Sequence, residues 1–194
     1  MFKRLSLGAA ILATASAPAF AHLDPAEHGS LAAGFSHPLT GMDHILAMLA
    51  VGLWAAQIAT ASKPRSLWIV PAAFVATMAA GFGLAVSGAG LPFVEPAILA
   101  SVIALGLFVA MAVKLPVAAC AAIVGVFALF HGYAHGGELG SAGALQFGIG
   151  FVMATAALHA AGIGLGLVIA RFNPLLARGL GLITALLGLS LVFG

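Results

Sequence analysis

Apolar residues form long runs along this chain, and short polar breaks separate them. The breaks carry Gly, Pro and charged residues, as at Ser62–Arg65, Ser87–Pro92 and Lys114–Pro116. About 20 apolar residues cross the hydrocarbon core of a bilayer, and about 17 to 25 are workable. The pattern therefore predicts six membrane helices, over Thr40–Thr60, Leu67–Val86, Ala97–Val113, Pro116–Tyr133, Ala144–Ala170 and Pro174–Phe193. The fifth is long, so a tilt or a break is expected near Gly162–Gly166.

Composition supports an integral membrane protein. The 194 residues are 63% hydrophobic and only 6% charged, whereas soluble domains carry about a quarter charged residues. With no long polar loop, we predict one all-α domain, a bundle of six transmembrane helices over residues 22–194. Cys120 is the only cysteine in the sequence, so neither an intramolecular disulfide nor a Cys-based metal site is available.

Residues 1–21 have the features of a cleavable signal peptide. Lys3 and Arg4 precede the apolar stretch Leu5–Ala15, which is too short to span well, and an Ala-x-Ala pattern ends at Ala21. We expect cleavage before His22 rather than an uncleaved anchor. Cleavage removes two of the seven bases and leaves five against five acids. The pI of about 9.1 therefore gives no indication of a nucleic-acid partner.

Charged residues divide between the two sides of the predicted bundle. The five remaining bases fall in the loops after the first, third and fifth helices, which the positive-inside rule assigns to the cytoplasm. The acids and six of the seven histidines fall at the opposite ends, where their field attracts cations. We predict a multi-pass protein of the bacterial inner (cytoplasmic) membrane with both termini outside. The bases are Lys63, Arg65, Lys114, Arg171 and Arg178, the acids are Asp24, Glu27, Asp43, Glu95 and Glu138, and the histidines are His22, His28, His37, His44, His131 and His135.

The start of the first predicted helix carries two histidines and an aspartate. Such residues are costly to bury in a membrane and indicate a site for a cation or a proton. On one continuous helix, His37, His44 and Met48 would share a face, since seven and four residues separate them. Asp43 has a second interpretation, because Thr40 and Asp43 have the spacing of a helix cap.

A second group of candidate ligands lies in Phe130–Glu138. His131 and His135 are one turn apart and Glu138 follows three residues later, so both imidazoles can share a metal if the helix continues that far. Glycines in this stretch would otherwise unwind the helix and expose carbonyl ligands. A solvated helix end explains either motif alone about equally well, but both motifs on one side favour a ligand site.

Imidazole and carboxylate without thiolate suit nickel, cobalt or zinc, and the spacing does not choose among them. The metal is expected as transported substrate, with no permanently bound cofactor and no catalytic residue. Partners are the divalent ion and the lipid bilayer, and the oligomeric state is not indicated. His159 is either a relay or a hydrogen-bond partner of Thr155, and Met48 is favoured as packing. The second-tier metal or pathway residues are Glu138, Glu95, His159, Met48 and His22.

Two stretches carry a resemblance to a known family. His37–Gly52, H-P-L-T-G-M-D-H-I-L-A-M-L-A-V-G, resembles the signature of the HupE/UreJ family, and Phe130–Gly136, F-H-G-Y-A-H-G, resembles its second motif. The signal peptide, six spans and short loops extend the resemblance over essentially the whole chain. Members are regarded as nickel or cobalt permeases linked to hydrogenases and ureases. The resemblance therefore implies secondary, non-ATP uptake of nickel or cobalt, with metal-binding roles for His37, Asp43, His44, His131 and His135.

Two other function classes stay open. A rhomboid-like intramembrane hydrolase would pair Ser141 with His159, although these residues are about 27 Å apart on one unbroken helix. A haem-binding membrane cytochrome would use histidines on different helices, such as His44 and His159, although these two differ in predicted depth. The H-x5-D-H spacing is also one residue longer than the H-x4-D-H of the larger nickel/cobalt transporter family. Ligand geometry is therefore not carried over from that family.

Overall fold

The structure, a computed structural model, describes residues 30–59, 65–139 and 143–193. These residues form helices and no strand, so the predicted all-α class is confirmed. The predicted signal peptide, its cleavage site and His22 lie outside the described residues. The helices are α1 (Leu31–Ser36), a 3-10 turn (His37–Leu39), α2 (Met42–Ile58), α3 (Ser66–Val86), α4 (Val94–Met111), α5 (Val117–Leu139), α6 (Ala144–Phe172) and α7 (Pro174–Phe193).

Five helices, α3 to α7, are long and apolar enough to cross a membrane. The predicted first span differs, because Leu31–Leu39 and Met42–Ile58 meet at an angle of 79°. The bent pair counts as a sixth span only if its two parts are taken together. The protein is therefore a multi-pass helical membrane protein with five spans, or six with the bent pair.

The bend at the start of α2 replaces the predicted continuous helix. Gly41 precedes the helix in an extended conformation, with φ −86° and ψ 119°, and no side chain caps the helix. The hydroxyl of Thr40 instead donates to the carbonyl oxygen of His37 over 2.8 Å. The proposed cap between Thr40 and Asp43 is therefore wrong, and His37 does not share a helix face with His44.

Two further helices differ from their predicted bounds. The helix α5 continues to Leu139, so the glycines after His131 do not unwind it. The helix α6 is unbroken through Gly162, where a Cβ atom would lie 2.5 Å from the carbonyl oxygen of Leu49. In both helices the glycines permit close contact with a neighbouring helix, as expected for small residues between membrane helices.

Gly132 gives the sharpest test of this packing. A Cβ atom there would overlap the carbonyl oxygen of Met78, so α3 and α5 would have to separate. We expect Gly132→Ala to lower the yield and the melting temperature of the purified protein, because overpacking typically costs about 1–3 kcal/mol or more. The matched control is Gly137→Ala on the same helix, where a Cβ meets nothing within 4 Å. Equal melting temperatures for the two variants would contradict the observed helix packing.

Hydrogen bonds show which helix ends lie together. At one end, Trp54 Nε1 donates to the carbonyl of Val113 over 2.8 Å, and Arg178 Nε donates to that of Ala110 over 2.7 Å. These side chains satisfy carbonyls at the end of α4 that have no partner within the helix. The described bases Arg65, Lys114, Arg171 and Arg178 all lie at this end, which we call the basic end.

The opposite end carries the described acids and most of the described histidines, and we call it the histidine end. Asp43 and Glu95 lie in the first turns of α2 and α4. Tyr133, late in α5, donates its hydroxyl to Ala89 O over 2.8 Å and accepts from Leu91 N over 3.1 Å. Tyr133 thereby fixes the loop between α3 and α4 beside the histidine end.

Candidate metal centre

The two sequence motifs meet in one site at the histidine end. The ring centroid of His44 lies 4.4 Å from that of His135 and 5.0 Å from that of His131. The His37 ring is 4.5 Å from that of His135. We call His37, His44, His131 and His135 the histidine cluster.

Three elements supply the cluster. His44 lies in the first turn of α2, and His131 and His135 lie on successive turns of α5. His37 lies in the 3-10 turn, and the bend after it places the ring 6.5 Å from that of His44. The bend, and not the predicted shared helix face, therefore brings His37 close to His44.

Asp43 determines which ring nitrogen of His44 carries the hydrogen. The Asp43 Oδ1 atom lies 2.9 Å from His44 Nδ1 and accepts its hydrogen. In a neutral imidazole only one nitrogen carries a hydrogen, so His44 Nε2 then presents a lone pair. A carboxylate in this position is typical of metal-binding histidines, whose second N–H it holds in place.

Ser101 determines which ring nitrogen of His131 carries the hydrogen. The Ser101 hydroxyl donates to the carbonyl of Ile98 over 2.6 Å, so its oxygen is left to accept from His131 Nε2 over 2.8 Å. His131 Nδ1 is then the unprotonated nitrogen. It faces His44 Nε2 at 3.4 Å. Two lone pairs thus converge at the centre of the cluster.

One pair of cluster nitrogens is closer together than in a loaded metal site. His44 Nε2 and His135 Nε2 are 2.5 Å apart, with His135 as the donor. Two nitrogens on one ion, each bound at about 2.0–2.1 Å, lie about 3 Å apart. Accordingly, no three His, Cys, Asp or Glu side chains in the described part of the chain have a metal-binding arrangement. A small outward movement of His135, with loss of the shared hydrogen, would make room for an ion.

Burial increases steadily from the rim of the cluster inward. The Asp43 side chain is 27% exposed and that of His44 is 6% exposed. His131 is fully buried, at 0%. The site therefore has an acidic, partly accessible rim and a dry interior, which strengthens electrostatic interactions with a bound cation.

Phenylalanine side chains form the inner wall. Phe151 of α6 contacts His44 and His135, with ring centroids 6.3 Å and 4.7 Å apart. Phe74 of α3 lies 5.8 Å from His131. These apolar rings line the inner side of the cluster.

Three of the second-tier candidates lie in helices α2, α4 and α5. Met48 is fully buried in the hydrophobic core, in line with the favoured packing role. Glu95 is exposed in the first turn of α4. Glu138 lies in the last turn of α5.

His159 does not make the hydrogen bond expected with Thr155. The hydroxyl of Thr155 donates to Met78 Sδ over 3.5 Å instead. His159 lies 15 residues beyond Ala144 on unbroken α6, and Ser141 is outside the described residues. The unbroken helix gives no support to a Ser141–His159 pair. His44 faces two imidazoles rather than a partner at the depth of His159, which gives no support to a haem site.

Ser101 and the phenylalanines are the residues that sequence reasoning missed. Ser101 had a recognisable signal, since it is the only hydroxyl in the predicted segment Ala97–Val113. Polar side chains inside membrane helices usually have a partner. Phe74 and Phe151 had no such signal among the 13 phenylalanines of the chain.

Comparisons with known proteins identify the family of the chain. The family model described as HupE / UreJ protein matches residues 10–191. The protein named Protein HupE from Rhizobium leguminosarum bv. viciae is 44% identical over 187 residues, which cover 94% of this chain and 95% of that protein. No solved structure matches. The chain therefore belongs to the HupE/UreJ family.

Proposed function

We propose that this protein is a secondary transporter that takes up nickel, or cobalt, through the histidine cluster. The observation that carries the proposal is the convergence of two ring nitrogens, His44 Nε2 and His131 Nδ1, which lie 3.4 Å apart. Their opposite N–H groups are held by Asp43 and Ser101. The family's association with nickel and cobalt transport for hydrogenase or urease supports these metals over zinc.

The proposed ligands are the imidazoles of the cluster. His44, His131 and His135 supply nitrogen donors, which suit divalent nickel and cobalt. His37 is half-buried beside His135 and is proposed to take part at the outer side. Asp43 is proposed to orient His44 and to supply negative charge at the rim, rather than to bind the ion itself.

A transport site must also release its ion. The cluster offers neutral imidazoles, and the one described carboxylate in contact with it already accepts a hydrogen bond. Such a site binds less tightly than a structural site with several charged ligands, as release requires. The sequence has no nucleotide-binding motif, so we propose uptake without ATP hydrolysis by this chain and no enzymatic activity.

Uptake of labelled nickel tests the function directly. Cells that express the chain should accumulate the ion faster than cells with an empty vector. Unlabelled cobalt should compete more strongly than zinc. Equal accumulation in both strains, at a verified level of the protein in the membrane, would contradict nickel transport. Stronger competition by zinc would change the proposed metal.

Ser101→Ala tests the orientation of His131. Without the hydroxyl, the His131 ring loses the partner that holds its Nε2 hydrogen. We expect nickel affinity to fall by about 10–100-fold, as for other partners of metal-binding histidines. The control is Ser190→Ala, which removes an exposed serine with a similar bond to the carbonyl of Leu187. Equal affinities in the two purified variants would exclude this role for Ser101.

The basic end is proposed to face the cytoplasm, so that the histidine cluster faces outward. A cysteine in place of Gly90 should react with a membrane-impermeant thiol reagent in intact cells. A cysteine in place of Lys63 should resist it. Cys120 is fully buried, so the native cysteine gives little background. The reverse labelling pattern would overturn the proposed orientation and the outward position of both termini.

A further inference from the structure

His159 is a buried imidazole outside the histidine cluster. It is 1% exposed. Neither of its ring nitrogens has a hydrogen-bond partner among the described residues. Buried polar side chains nearly always have partners, so this ring has binding capacity that the fold does not use. In a membrane helix such a residue indicates an ion or proton pathway.

His159 lies about 12 Å along α6 from Phe151, which contacts the cluster. It lies about 22 Å along α6 from Ala144 and about 20 Å from Phe172, at 1.5 Å per residue. His159 is therefore near the middle of this span. An ion that left the cluster would meet this ring at the depth where desolvation is most costly.

A continuous column of side chains joins the cluster to His159. Phe151, Thr155 and His159 are spaced by four residues and lie on one face of α6. Phe151 contacts His135 at the outer end of this face. On the facing helix α3, the ring of Phe74 contacts His159, with centroids 4.9 Å apart, and it also contacts His131.

The column also contains donors suited to a borderline metal. The hydroxyl of Thr155 lies one turn before His159, and the thioether of Met78 lies 3.5 Å from that hydroxyl. Imidazole, thioether and hydroxyl are ligands that nickel and cobalt accept. They come from two helices that meet between the cluster and His159.

From this column we infer a second, inner cation-binding station at His159, which receives the metal from the histidine cluster. The inference rests on the proposed nickel or cobalt transport. The inner station has fewer imidazoles than the cluster, so it holds the ion more weakly. In this proposal an ion passes from the cluster past Phe74 to His159 and onward to the basic end.

Two substitutions test the station. His159→Phe keeps an aromatic ring of similar size, and His159→Asn keeps a polar group, but each removes the imidazole. We expect nickel uptake to fall at least about 10-fold in both, the lower range for loss of a metal-site partner. Nickel affinity of the cluster, measured by equilibrium dialysis on purified protein, should stay unchanged. Leu165→Ala, which alters an exposed position on the same helix, should leave both quantities unchanged.

Dialysis at high nickel concentration gives a second readout that does not depend on transport. The native protein should bind a weaker additional ion that both His159 variants lose. Native uptake and native nickel binding in the variants would overturn the inner station. Failure of the native protein to transport nickel would overturn the proposed function instead, and the dialysis result would still decide whether His159 binds metal.

Discussion

Replacing His44 with alanine is expected to reduce nickel uptake at least about 100-fold, beyond the 10–100-fold typical for partners of metal ligands. His44 Nε2 faces both His131 and His135. Its removal leaves those two imidazoles on α5 without the donor from α2. It also leaves the Asp43 carboxylate without its imidazole partner. Uptake of labelled nickel, normalised to protein in the membrane, measures the effect.

Companion variants separate the roles in this pair. Asp43→Ala should lower uptake by about 10–100-fold, and Asp43→Asn should lower it less, because the amide oxygen can still accept from His44 Nδ1. Met42→Ala changes an exposed side chain in the same turn and should have no effect. Uptake within twofold of the native level for His44→Ala would exclude the histidine cluster as the transport site.

Nickel affinity should fall steeply as the pH is lowered from about 7 to about 5. Imidazole binds metal only in its neutral form, and a free imidazole has a pKa of about 6.5. Each imidazole that takes up a proton is lost as a ligand, so competition at several imidazoles multiplies the loss of affinity. The loss occurs on acidification, because protons and metal compete for the same lone pairs. Nickel titrations of the purified protein at several pH values measure it.

The slope of log affinity against pH shows whether several imidazoles bind the ion together. A plot of log affinity against pH should have a slope greater than one, which is the slope for one proton displaced per ion, since several imidazoles act together. His44→Ala should make the plot shallower. A flat plot across this range would show that imidazoles are not the ligands, and carboxylates and backbone carbonyls would remain.

The sequence was sufficient to predict α3 to α7 and to single out the two motifs that meet at the histidine end. Apolar runs define α3 to α7 because a membrane helix must satisfy all its backbone groups internally, whatever its neighbours. The pairing of His131 with His135 follows from helical spacing alone. The separation of charges was also predictable, since Arg65 precedes α3 at the basic end and Asp43 lies in the first turn of α2 at the histidine end.

The contacts between helices were not predictable in the same way. The bend before α2 depends on the extended conformation at Gly41, which a helical pattern does not reveal. Ser101 reaches His131 only because α4 and α5 pack together, and no spacing rule relates residues 30 positions apart. The isolation of the His159 nitrogens is likewise a property of the packed interior. A sequence shows which polar groups exist, but the partners that they find depend on tertiary packing.

The bend between the 3-10 turn and α2 has a consequence for the spacing of the first motif. Asp43 and His44 are neighbours on one helical turn, so their contact is set locally and is independent of what precedes Gly41. His37 reaches the cluster from a separate arm, across a turn closed by Thr40. The number of residues between His37 and Asp43 is therefore a linker length and not a helical repeat. Insertions or deletions there would move the outer imidazole and leave the Asp43–His44 pair intact.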